Sequence, residues 1–191
     1  MDFKMKKRLL AVTATLALAS PFAMAESAPV MFSSLNGFNA PNADSVGGVR
    51  LSVLHGQVRE VTGLDISVLG MSERDNMTGL NLSFFFGGSK VNKQMTGAAL
   101  GLFNWNPGNT TGANISAVNI TNNVKGLNLG VANISKGKTI ADVAVVSLSK
   151  ESNFQLGIFN KTEKIDGVQI GLINCADNGF FKCFPIVNFA K

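Results

Sequence analysis

The sequence predicts an all-β protein, and a tandem repeat is the main reason. Its eight-residue unit runs glycine, apolar, polar, apolar, small, apolar, apolar, asparagine, and the clearest copies are 167–174 and 126–133. Apolar residues alternate with small or polar ones at period two in these units, which is the pattern of a β-strand. No segment after residue 25 has helical periodicity, so the strands are expected to form the whole fold.

The first element is a targeting segment. Four basic residues within 1–8 precede the apolar run 9–19, and Ala23-Met24-Ala25 stands directly before Glu26. A basic start, a short apolar run and an A-x-A site are typical of a secretory signal peptide, and the run is too short to span a bilayer. We therefore expect residues 1–25 to be removed and the protein to reach the outer membrane or cell surface, with the periplasm as the alternative.

The charge of the chain changes when this segment is removed. The full sequence has a net charge of +5, but residues 1–25 hold four of the basic residues and Asp2, which leaves +2. A chain with so small an excess of positive charge gives no support to nucleic-acid binding. Hydrophobic residues make up 46% and charged residues 15% of the sequence, which excludes a disordered polyelectrolyte.

The remaining chain divides into a lead-in and one repeat domain. Residues 26–47 are expected to form a loose segment or a degenerate strand, and residues 48–191 a single β-repeat domain. Besides the two clearest copies, units begin at Gly48, Gly63, Gly79, Gly97 and Gly112, and degenerate units begin at Ile140, Asn153 and Phe181. The sequence therefore predicts about ten tandem strands.

Each predicted strand has two different faces. The second, fourth and sixth positions are apolar, as in Val49, Leu51 and Val53, whereas the first and fifth positions are small. The third position forms a polar repeat row: Arg50, Asp65, Asn81, Asn114, Asn128, Asp142, Gln155 and Gln169. One face of the sheet is thus continuously apolar, and the other is small with one polar row.

Two arrangements accommodate such strands. The unit starts are 13 to 18 residues apart, and the segments between units, such as 72–76 and 161–164, are short, polar and turn-like. Variable hairpin loops suit these spacings, so we expect an antiparallel meander that closes into a barrel. The alternative is a β-solenoid, in which the asparagines at the eighth positions form a ladder at a corner.

The direction of the apolar face determines the expected partner. Eight residues in a tilted strand cover roughly 20 Å, which is close to the apolar band of an outer-membrane barrel. Membrane lipid or other envelope components are therefore the expected partners, although the chain has one Trp and no Tyr to form aromatic girdles. The alternative is a periplasmic or surface barrel that encloses an apolar or lipid-like ligand. The sequence leaves the oligomeric state open.

No catalytic, cofactor or metal site is predicted, and we expect a protein without enzymatic activity. His55 is the single histidine and stands where other units place a turn asparagine. Asp65 and Asp142 occupy equivalent positions of the repeat, which favours interior polar lining over a catalytic carboxylate pair. Cys175 and Cys183 connect the last two units, and export to an oxidising compartment predicts a disulfide between them.

The repeat also carries a resemblance. The unit Gly-Val-Gln-Ile-Gly-Leu-Ile-Asn at 167–174, its tandem copies and the ending at 184–189 resemble a family of exported surface repeat-containing proteins from Gram-negative bacteria and spirochaetes. The resemblance covers about 48–191, although the units that begin at Ile140, Asn153 and Phe181 lack the leading glycine. It implies a location in the cell envelope and a non-enzymatic role, and it supplies no activity to transfer.

Overall fold

A computed structural model describes residues 27–191, and the predicted signal peptide at 1–25 lies outside these residues. The described chain is all-β apart from one short 3-10 turn at Leu35–Gly37. The strands are β1 (Ala28–Ser33), β2 (Asn39–Ala40), β3 (Ser45–Ser52), β4 (Gly56–Ser67), β5 (Met71–Ser83), β6 (Gly88–Ala176) and β7 (Cys183–Phe189). They form one sheet in the order β2-β1-β3-β4-β5-β6-β7.

Successive repeat units lie parallel to one another and in register. Strands β3, β4, β5 and β6 pair in parallel, and the glycines that begin the units align as Gly48 with Gly63, Gly63 with Gly79, and Gly79 with Gly97. Only a few residues separate one strand from the next, so the chain must travel back within each strand before it pairs again. Each unit is therefore one coil of a β-solenoid.

The long strand β6 continues this winding. An extended chain of its 89 residues would measure about 290 Å if it were straight. Instead, Asn114 donates a hydrogen bond to Asn128 at 2.9 Å, and Asn128 donates one to Asp142 at 3.0 Å, so successive partners are 14 positions apart in the sequence. Side chains one repeat apart thus lie directly above one another, and β6 contributes several coils.

The predicted antiparallel meander and barrel are wrong, and the polar segments between units explain the error. The segment 72–76, expected to be a turn, belongs to β5. Its residues alternate, with Ser72 and Arg74 buried and Glu73 and Asp75 partly exposed. These segments are strands that form a second wall of each coil. Because their inward side chains are polar, hydrophobic alternation does not reveal them.

The leading glycine of each unit is required by the close stacking of coils. Gly79 has φ +126°, and a Cβ atom there would lie 2.1 Å from the carbonyl oxygen of Gly63. Gly97 repeats this arrangement over Gly79, with φ +126° and 2.0 Å. A side chain at either position would meet both an unfavourable backbone conformation and a steric clash with the coil below.

The interior of the coil is mixed. Buried Val46, Val61, Met77 and Met95 form an apolar column near one corner. Most other inward positions hold Ser, Thr, Asn, Asp, Arg or Gln side chains that are almost entirely inaccessible. The fold is therefore held together by stacked hydrogen bonds as well as by apolar packing.

Short strands cover both ends of the solenoid. At one end β1, which lies in the predicted lead-in segment, pairs in parallel with β3, and β2 pairs with β1 in the antiparallel direction. At the other end β7 pairs antiparallel with the last part of β6. The predicted disulfide between Cys175 and Cys183 is present and joins these two strands.

Candidate functional site

The main surface feature is an apolar wall, which we define as the side chains at the second, fourth, sixth and seventh positions of the nine units that begin between residues 48 and 167. These side chains face outward, and none of them is charged or polar. At four successive levels the sixth-position side chains are Val131, Val145, Ile158 and Leu172, which are 56%, 43%, 52% and 67% exposed. Solvent-exposed aliphatic side chains thus follow the length of the coil.

The size of this wall is unusual for a soluble monomer. Nine coils at about 4.8 Å and seven strand residues at about 3.4 Å give a surface of roughly 40 Å by 24 Å. Contiguous apolar patches on monomeric proteins are usually about 300–600 Å² at most. A wall above that range is characteristic of a surface that another apolar phase or molecule covers.

The second face of the coil, which we call the polar wall, consists of the outward side chains of the segments between the units, such as 72–76 and 161–164, and is mainly polar. Its outward side chains include the ion pair between Lys90 Nζ and Glu73 Oε1 at 2.7 Å, and the pair between Lys93 and Asp75 at 2.7 Å. The hydrogen bond from Lys90 is the main reason why the pKa of Glu73 lies below its usual value. Lys90 also lies 4.8 Å from the centre of the Trp105 ring. The solenoid is therefore amphipathic in cross-section.

The predicted polar repeat row lies inside the coil. Its eight members are Arg50, Asp65, Asn81, Asn114, Asn128, Asp142, Gln155 and Gln169, and each is at most 1% exposed. Neighbouring members bond to one another, as Gln169 does when it donates to Gln155 at 2.6 Å. The row is an interior hydrogen-bonded column, and its side chains are inaccessible to an external ligand.

Two arginines balance the carboxylate at one end of this column. Arg50 Nε lies 2.9 Å from Asp65 Oδ1, and Arg74 Nη1 lies 2.5 Å from Asp65 Oδ2, with all three side chains fully buried. Ser72 donates to Asp65 at 2.7 Å. Burial alone would raise the pKa of Asp65, but the attraction of Arg74 and Arg50 outweighs it, so the pKa lies below 3.8. Burial also lowers the pKa of Arg74 to about 10.

The second carboxylate of the column has no cationic partner among residues 27–191. Asp142 accepts hydrogen bonds from Asn128 at 3.0 Å, Thr139 at 2.5 Å and Ser152 at 3.4 Å. Burial raises the pKa of Asp142, and these hydrogen bonds offset only part of that rise. Asp65 and Asp142 are both buried and separated by several coils, so the structure does not bring them together as a catalytic pair.

A second interior column is formed by asparagines at the eighth positions. Asn104 donates to Asn119 at 3.2 Å, and Asn119 donates to Asn133 at 2.8 Å. Ser147 interrupts the column, which resumes where Asn160 donates to Asn174 at 2.8 Å. This is the corner ladder expected of the solenoid alternative.

The other singled-out residues do not assemble a reaction centre. His55 is partly buried at the edge of the first units, and no group of three or more His, Cys, Asp or Glu within 27–191 could hold a metal ion. The aromatic segment Phe84–Phe86 protrudes at the margin of the apolar wall, with Phe86 84% exposed. Phe85 adopts a positive φ of 48°, which is rare for a bulky residue.

Sequence reasoning missed the buried residues of the second wall. Ser72, Arg74, Thr139 and Ser152 lie inside the coil, where they bond to the carboxylates of the polar row. A signal was present, because small hydroxyl residues alternate with charged ones in these segments. That alternation identifies a strand only once the interior is known to be polar.

No family model, no curated protein and no solved structure matches the chain. The resemblance to exported surface repeat-containing proteins therefore stays a prediction. Within residues 27–191, no helix is long and apolar enough to cross a membrane.

Proposed function

We propose that the protein is an exported, non-enzymatic component of the cell envelope that binds a lipid surface through its apolar wall. The observation that carries this proposal is the position of the aliphatic side chains of the repeat units, which lie outside the coil while most interior positions are polar. Contact between the apolar wall and lipid would remove from water an apolar surface that the fold itself leaves exposed, and this removal is favourable.

The charge distribution favours a lipid surface as the covering phase. The apolar wall has no charged side chain, and the solvent-exposed charged groups lie on the polar wall or at the corners, as Lys90 and Lys136 do. A molecule with this cross-section can lie flat at a membrane with its charges in water, in the way that amphipathic interfacial helices do. The protruding Phe84–Phe86 segment adds apolar side chains that can enter the lipid at one margin.

The contribution of a single wall residue can be worked out from its exposure. Ile170 is 40% exposed, and complete burial of an Ile side chain stabilises by about 1.5–3 kcal/mol. Covering the exposed part of Ile170 should therefore contribute about 1 kcal/mol, which corresponds to a roughly fivefold change in affinity. An arginine at this position would lose that contribution and would also place a charge against lipid.

The test is co-sedimentation of the exported chain with vesicles of phosphatidylethanolamine and phosphatidylglycerol. We expect the wild-type chain to bind, and Ile170→Arg to bind at least about fivefold more weakly. Ile134→Arg is the matched control, because Ile134 is 37% exposed but lies on the polar wall. Both side chains point outward, so circular dichroism should show that both variants keep the fold.

Two results would contradict the proposal. Equal loss of vesicle binding in the two variants would mean that the apolar wall is not the contact surface. The second result is a wild-type chain that does not bind vesicles, is dimeric by light scattering and becomes monomeric with Ile170→Arg. It would mean that the apolar wall contacts a second copy of the chain.

A further inference from the structure

A cleft of about 600 Å³ lies at the corner where the polar wall passes into the apolar wall, and the proposed lipid binding does not use it. Amide, hydroxyl and lysine side chains line most of it, with Val124 and Ile140 as the apolar part. The volume falls within the range of about 300–1,000 Å³ that is usual for small-molecule sites.

The cleft arises where the interior of the coil changes. The buried apolar column continues through Thr110 to Val124, but the residue one repeat later, Lys138, is exposed. Thr139 takes the inward position instead and bonds to Asp142. The corner of that coil is therefore displaced relative to the coils before it, and the step between them forms the cleft.

The amides of the cleft are held in place by the fold. Asn123 Nδ2 donates to Asn109 Oδ1 at 3.0 Å, and the backbone N–H of Lys138 donates to Asn123 Oδ1 at 3.0 Å. Gly137 is needed for this arrangement, because a Cβ atom there would lie 2.2 Å from Asn123 Oδ1. Asn109 Nδ2 makes no hydrogen bond with the described part of the chain, so a fixed donor remains for a ligand.

An unpartnered hydroxyl gives independent support for a ligand. Thr110 lines the cleft, is 1% exposed, and its Oγ1 atom has no hydrogen-bond partner within residues 27–191. A buried polar group without a partner destabilises a fold, so such groups call for an explanation. The Oγ1 atom is covered in this structure, so a ligand hydroxyl in the cleft would supply the missing hydrogen bond once the Thr110 side chain turns toward it.

The charge of the cleft is positive. Its lining contains Lys125 and Lys138 and no acidic side chain. Lys138 is paired with Asp166, which lies 2.5 Å away and is shared with Lys164 at 2.9 Å. Lys125 has no carboxylate partner among the described residues, so one positive charge remains for an anionic group on the ligand.

We propose that this cleft binds an anionic saccharide. Sugar hydroxyls both donate and accept hydrogen bonds, as the amides of Asn109 and Asn123 and the hydroxyl of Thr110 require. The C–H face of a sugar ring would lie against the apolar side chains of the cleft. A carboxylate on the sugar would pair with Lys125. Recognition here rests on this corner alone and does not depend on lipid binding by the apolar wall.

The experiment is isothermal titration calorimetry of the exported chain with trigalacturonic acid, with maltotriose as the neutral comparison. We expect trigalacturonic acid to bind more tightly than maltotriose, and Lys125→Gln to weaken its binding by about tenfold, because a charge-assisted hydrogen bond is lost. Lys136→Gln on the polar wall is the matched control and should bind trigalacturonic acid like the wild type.

A second variant separates binding from stability. Thr110→Val keeps the shape of the side chain and removes the unpartnered hydroxyl, so the free protein should melt at the same or a higher temperature. Binding of trigalacturonic acid should nevertheless weaken by about threefold or more. The proposal is overturned if the wild type binds neither saccharide at millimolar concentration. It is equally overturned if Lys125→Gln and Thr110→Val both bind like the wild type.

Discussion

The two aspartates of the polar row should respond in opposite directions to the same substitution. Asp65→Asn leaves Arg50 and Arg74 buried without a counter-charge, whereas Asp142→Asn removes a buried carboxylate that has no cationic partner among residues 27–191. Both changes preserve shape and both occur in the same column of the same fold. The pair therefore isolates the effect of local charge on stability.

The magnitude for Asp65 follows from its contacts. Removing one partner of a buried ion pair costs about 3–5 kcal/mol, because the remaining charge is uncompensated. For a domain of this size the melting temperature should fall by roughly 6–20 °C. Asp142→Asn should instead raise the melting temperature at pH 7, since an amide can continue the Asn114–Asn128 ladder and the hydroxyls of Thr139 and Ser152 can accept its N–H groups.

The pH dependence gives these predictions a second readout. Asp65 has a lowered pKa in the folded state, so its stabilisation is present above pH 3.8 and is lost as the pH falls through the folded-state pKa. Asp142 has a raised pKa, so it destabilises the wild type as the pH rises from 3.8 through that pKa. The advantage of Asp142→Asn should therefore disappear below about pH 3.8.

Thermal melts followed by circular dichroism between pH 3 and pH 8 measure both effects. The reasoning is refuted if the two variants shift the melting temperature in the same direction at pH 7. It is also refuted if the gain from Asp142→Asn is as large at pH 3 as at pH 7.

Two further changes test how the coils are held together. Gly79→Ala should destabilise by about 1–3 kcal/mol, because alanine is strained at φ +126° and its methyl group would meet the Gly63 carbonyl; urea unfolding measures this, and an unchanged midpoint would contradict the stacking. Removing the disulfide with Cys175→Ser and Cys183→Ser should cost about 2–3 kcal/mol for a loop of this length. Hydrogen exchange should accelerate mainly in β7, and acceleration spread evenly over β4 and β5 would argue against a local role.

The strands of the repeat units were predictable, and their arrangement was not. Period-two alternation identified segments such as 126–133 as strands, and the small first position of each unit, which the sequence already displayed, is explained by the glycine stack. The second wall escaped detection because its inward residues, such as Ser72 and Thr162, are polar. Reasoning that expects apolar residues inside the fold assigns these segments to turns. If the segments are turns, consecutive strands form hairpins, and the predicted fold becomes an antiparallel barrel.

The functional surfaces were predictable to different degrees. The apolar residues at the second, fourth and sixth positions were recognised in the sequence. Their position on one outward wall became evident only from the structure of the solenoid. Asp65 and Asp142 were expected to be interior lining, and the structure buries the whole polar row. The cleft at Asn109, Asn123 and Lys125 left no pattern in the sequence, because it depends on the displacement of one corner relative to the coil before it.

The strand that closes the C-terminal end limits the length of the particle. A solenoid that ends on an open parallel edge offers unpaired backbone groups to the first coil of another molecule, and fibres can grow by that route. Here the outermost strand β7 runs in the opposite direction, Pro185 has no N–H group to donate, and Ile186 bends the edge with a φ of +71°. Growth by edge pairing is therefore disfavoured at this end, and the number of coils in the particle follows from the number of repeat units in the chain.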